Sequence, residues 1–206
     1  QPIPPVLYHS TPLPWALIVS ARDTIGQEAN LSLKTELTLA EHIEIEDKVA
    51  AVLDVSTLVV PVGGIGTYPT MVAQTSSLNW LAEVISHEWL HNYLSWHPLG
   101  FNYNVSQEIK TINETTANLF GKEIGALVIS RYYPEYAPPS APSPAPAQQD
   151  EPPSFDFRQE MHTTRLHVDE LLAAGKVSEA EDYMEARRLV FWENGYAIRK
   201  LNQAYF

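Results

Sequence analysis

The chain contains no cysteine. No disulfide can staple it and no thiol can act as a nucleophile. Any zinc must be held by imidazole and carboxylate. Positive charge is also scarce: 13 Lys and Arg face 25 Asp and Glu, for a formal net charge of −12. This balance argues against nucleic acid or anionic lipid as the main partner. It suits a solvated surface and neutral or basic peptide ligands. No apolar run reaches the roughly 18 residues of a membrane span. The sequence starts at Gln1, not Met. Together with its proline arms, that gives the expectation of an extracytoplasmic segment, secreted or membrane-tethered, cut from a longer chain. Sequence alone leaves the oligomeric state open.

What is present is a 45% hydrophobic chain of 206 residues, enough for one large domain or a domain with a small appendage. Five of its 16 prolines fall in residues 1–14, which read as an extended arm. Eight more lie between Pro134 and Pro153 among Ala, Ser and Gln, a composition that makes a linker or wrapping arm. Leu39 to Leu53 carries apolar residues at helical spacing, with Thr38 as its cap. Thr57 to Val62 is β-rich, Gly63 to Gly66 suits a turn, and Thr67 to Ala73 reads as a returning strand. Residues 106–132 read as one long helix. Residues 155–173 and 177–206 read as a helical hairpin turning at Gly175-Lys176, with Ser178 as the second cap and a kink at Asn194-Gly195.

The pattern that carries chemistry is His87-Glu88-Trp89-Leu90-His91. On a helix, residues four apart share a face, so both imidazoles can reach one zinc ion. Glu88 lies about 100° round the helix and is placed to take a proton from a metal-activated water. The flanks are helical. Ser76 or Ser77 caps a run in which Leu78, Leu81, Val84, Ile85, Leu90 and Leu94 recur at spacings of three and four.

Two residues compete to be the third ligand. His97 lies six residues after His91, the spacing of the metzincins, but Leu94 stands where that pattern has a turn glycine. Met161 and Met184 both fall in helical segments, so no Met-turn is evident. The other candidate is Glu114, in Ile112-Asn113-Glu114-Thr115-Thr116-Ala117-Asn118-Leu119-Phe120-Gly121, 23 residues after His91. This segment resembles the second zinc helix of the thermolysin-like gluzincins, and the resemblance spans about residues 56–125.

The resemblance implies an α+β zincin: a small sheet, an active-site helix, a second zinc-ligand helix and a C-terminal α-helical hairpin across the cleft. The implied domains are 1–133, a linker at 134–154 and the hairpin lobe at 155–206. It implies a peptidase holding one Zn2+ through His87, His91 and Glu114, with Glu88 as general base and a peptide or protein as substrate. Asn118 takes the place of an acid that orients a ligand His. An edge strand at Thr67, Tyr68, Thr70, Met71, Val72 and Ala73 would hold the substrate by β-augmentation. The oxyanion donor would come from the hairpin, with Tyr196 favoured over His162, His167 and Tyr183. Two rival functions are a catalytically silent scaffold of the same fold and a zinc hydrolase of a non-peptide amide.

Overall fold

In the computed structural model, which describes residues 2–137 and 155–206, the elements follow in chain order. They are β1 (Tyr8–Ser10), β2 (Trp15–Ala21), β3 (Ala29–Ser32), α1 (Leu39–Leu53), β4 (Val55–Pro61), β5 (Gly64–Ile65), β6 (Thr70–Val72), α2 (Leu78–Leu94), α3 (Pro98–Phe101), α4 (Gln107–Tyr132), α5 (Phe157–Ala173) and α6 (Val177–Glu193). The protein is mixed α+β. Residues 2–13 and 62–137 make one compact unit; residues 14–61 and 155–206 make another. The sequence places residues 14–61 in the first domain, whereas they group with 155–206; the linker expected at 134–154 lies mostly outside the described residues. No helix among the described residues is long and apolar enough to cross a membrane.

The second unit is built on an antiparallel sheet, β3-β2-β4. Leu17, Val19 and Val59 form its core with Ile45 and Val49 from α1. Thr38 caps α1 in a full capping box with Glu41, as the sequence predicts. Segment 14–61 groups with the C-terminus because side chains from the tail bond to it. Asn202 Nδ2 donates to the Thr57 carbonyl (2.9 Å), Ser56 Oγ to Gln203 Oε1 (2.8 Å) and Gln203 Nε2 to the Arg22 carbonyl (2.6 Å). Val168 and Leu172 of α5 pack with Ala180, Met184 and Phe191 of α6. The second helix stops at Glu193 and does not kink and continue to 206; Gly195 takes a φ of 89°. Its N-cap position is held by Lys176, with Ser178 already inside the helix.

One buried charge anchors this unit. Glu46 is 1% exposed and accepts from Arg199 (2.5 and 2.9 Å) and from the Val59 N–H (2.6 Å). Burial works against its charge, but Arg199, Val59 and Lys200 outweigh that and hold the carboxyl below its usual range. A depressed folded pKa stabilises fully above the unfolded value, about 4.3 for Glu. That contribution is lost as pH falls through the folded value. Glu46→Ala strands Arg199 and is expected to cost about 3 kcal/mol in urea unfolding at neutral pH. The difference from wild type should shrink in acid.

The first unit has a three-stranded sheet, β1-β6-β5, lying over α2, which packs in turn against α4. Ser77 caps α2 and Ser106 caps α4, each accepting from the backbone N–H three residues on. On α4, Asn113, Ala117, Gly121, Gly125 and Ile129 are buried at four-residue spacing. This row of small residues lets α4 touch the α2 backbone: a Cβ on Gly121 would lie 2.8 Å from the Glu83 carbonyl oxygen, and one on Gly125 2.8 Å from the Glu83 nitrogen. The close crossing brings Glu114 within reach of the histidines on α2.

Candidate metal centre

His87 and His91 project from one face of α2, their Nε2 atoms 3.0 Å apart. Glu114 arrives from α4, its Oε2 3.5 Å from each Nε2. Ligands about 2.0–2.1 Å from a tetrahedral zinc are separated by about 3.3–3.4 Å. Separations of 3.0, 3.5 and 3.5 Å bracket that value, so the donor set fits zinc. His97 is the exposed N-cap of α3, its ring 4.5 Å from that of Tyr93, and it does not line the site. Glu88 is also close, with His87, Glu88 and His91 donor atoms all within 4.8 Å. Its Oε1 lies 4.0 Å from His87 Nε2, however, so Glu114 has the better third-ligand geometry.

Glu88 is 8% exposed, and its carboxylate lies directly against Gly64 of β5. Burial pushes its carboxyl above the usual range, against the pull of the two imidazoles. Burial also opposes ionisation of Glu114, but His87, His91 and Tyr103 overcome it and hold that carboxyl well below the usual range. For His91, burial disfavours the imidazolium, while Glu114, Glu88 and Asn113 favour it and raise its pKa. The site opens into a cavity of about 450 Å3 lined by Gly64 to Thr67, His87, Glu88, His91, Asn113, Glu114, Ser95, Gly100 and Tyr103.

Two expectations about the surroundings need correction, the edge strand and the role of Asn118. Thr70, Met71 and Val72 are not an edge. β6 is the middle strand, paired parallel with β1 and antiparallel with β5. The two edge strands are β1 and β5, and β5 is the one that lines the cavity. The Ala73 N–H donates to the Gly63 carbonyl (2.9 Å), so by antiparallel alternation the Gly64 N–H and C=O face away from β6. Gly64 cannot carry a side chain, since its Cβ would lie 2.6 Å from Glu88 Cγ. The glycine-rich stretch read as a turn is therefore the strand lying over Glu88. Of the predicted strand's flanks, Thr67 lines the cavity, Tyr68 does not, and Ala73 pairs back to Gly63.

Asn118 is exposed, and among the described residues no hydrogen bond joins it to either imidazole. The amide beside His91 is that of Asn113, 1% exposed. Its Nδ2 donates to the Leu99 carbonyl (3.1 Å), and its Oδ1 is without a partner at full hydrogen-bond geometry. Asn118→Leu is accordingly expected to leave metal affinity unchanged.

The predicted oxyanion donors all belong to the other unit. Tyr196 packs on Phe157 (4.5 Å between rings) and His167 on Tyr183 (4.6 Å); His162 is exposed. Nothing in the sequence singled out the tyrosine whose hydroxyl reaches the candidate ligands. Tyr103, after α3, donates to Glu114 Oε1 at 2.6 Å. This bond occupies one carboxylate oxygen and leaves Oε2 facing the imidazoles. Tyr103→Phe is expected to weaken zinc affinity about tenfold, as loss of an outer partner does. Competition against a chelating dye measures it. The only local signal was the Pro98-Gly100 turn, which folds the chain back towards α4. Comparison with protein-family models, curated proteins and solved structures gave no match.

Proposed function

We propose that the chain is a zinc-dependent peptidase of gluzincin type. The observation carrying this reading is the triangle of His87 Nε2, His91 Nε2 and Glu114 Oε2, with separations of 3.0, 3.5 and 3.5 Å. A zincin arrangement is supported by the motif helix under a sheet whose edge strand β5 lines the site, with a second helix bringing the carboxylate. Zinc held there supplies Lewis acidity, bringing a water's pKa towards about 7 and polarising the scissile carbonyl. Glu88 then takes the proton from the attacking water and passes it to the leaving amine. Gly64 offers its N–H and C=O to an extended substrate backbone. Tyr103 holds Glu114 in place.

The test is digestion of a broad peptide mixture before and after chelation. Cleavage that stops with chelator and returns with one equivalent of zinc is expected. A chain that binds zinc and cleaves no peptide is a scaffold or acts on another amide.

A further inference from the structure

A second cavity, of about 670 Å3, is lined by Pro4, Pro5, Tyr68, Ser95, Trp96 and Phe101 among others, none of them charged. It adjoins the candidate metal site. Ser95 lines both cavities, and Tyr68 and Phe101 directly follow Thr67 and Gly100, which line the metal site. Trp96 and Phe101 are 77% and 71% exposed. Folding leaves these two large aromatic surfaces in water beside the candidate centre, and grouped exposed aromatics mark contact sites. The proline wall is fixed in place: the Pro4 carbonyl accepts from Trp89 Nε1 (2.8 Å), and β1 pairs with β6.

We propose that this cavity receives one large apolar side chain, aromatic before aliphatic, from the peptide whose backbone crosses the metal site. The proposal rests on the peptidase reading. Aromatic walls favour offset or edge-on stacking. With no charged group in the lining, an acidic or basic side chain would lose hydration without a partner. The N-terminal arm is then part of the substrate site, because it supplies one wall. Relative to Ala, a Phe seated here should raise kcat/KM by about 10–100-fold.

The experiment has two arms on the zinc-loaded full chain. In the first, a peptide library is digested and the cleaved bonds are sequenced. Phe, Tyr, Trp, Leu and Met should be enriched at one position beside the cleaved bond. Trp96→Ala and Phe101→Ala should each lower kcat/KM for a Phe peptide about tenfold more than for its Ala counterpart. In the second arm, N-acetylphenylalaninamide is titrated while the Trp96 indole resonance, assigned with Trp96→Phe, is followed by NMR. That resonance should shift, and N-acetylaspartic acid amide should not move it. Cleavage without the preference, a preference indifferent to both substitutions, or an unmoved indole overturns the proposal. A shift without any cleavage supports the cavity as an apolar-ligand site and removes the peptidase reading alone.

Discussion

Glu88→Gln is expected to abolish peptide hydrolysis while the protein keeps its fold and its zinc. The amide is nearly isosteric and fits the same buried place under Gly64, where Glu88 is 8% exposed. It cannot accept a proton from water. Loss of a general base typically costs about 10²–10⁴-fold, and the loss is greater if the same group serves the leaving amine. Metal content and hydrolysis measured on one preparation separate a chemical effect from a structural one. A variant that keeps its zinc and the wild-type rate would show that Glu88 is not the base.

Glu114→Ala is expected to strip the site of zinc, and His97→Ala to leave it bound. Glu114 Oε2 stands 3.5 Å from both imidazole nitrogens, whereas His97 lies outside the cavity against Tyr93. Removing one of three protein ligands should cost more than the roughly 10–100-fold of an outer partner. The His97 change removes no ligand, and its affinity should stay near wild type. The reverse result would make the six-residue spacing the real signal and remove the gluzincin assignment.

Local features were legible in the sequence because local rules govern them. Capping at Thr38 and Ser77, with periodic apolar residues, marks two helix starts. The histidine pair follows from a four-residue spacing on a helix. Glu114 came from a motif, and its approach to the histidines depends on the small-residue row through Gly121 and Gly125.

What went astray depends on partners distant in the chain. β-Propensity marks Thr70 to Val72 as a strand but does not say that β1 will occupy one of its sides. Glycines suit turns, so Gly64 read as one; its cause is the carboxylate directly beneath it. Asn113 and Asn118 are both amides in the same motif, and only the helix crossing decides which is buried. Tyr103 meets Glu114 through the turn at α3, which no periodicity predicts. The grouping of residues 14–61 with the C-terminal hairpin rests on bonds such as Ser56 to Gln203.

Zinc-edge X-ray absorption on the purified, zinc-loaded protein tests the proposed centre most directly. Two imidazole nitrogens and oxygen ligands, all at about 2.0–2.2 Å, are predicted, with the oxygen shell altered in Glu114→Ala. A shell of three imidazoles, or a protein that retains no zinc after dialysis, would contradict it.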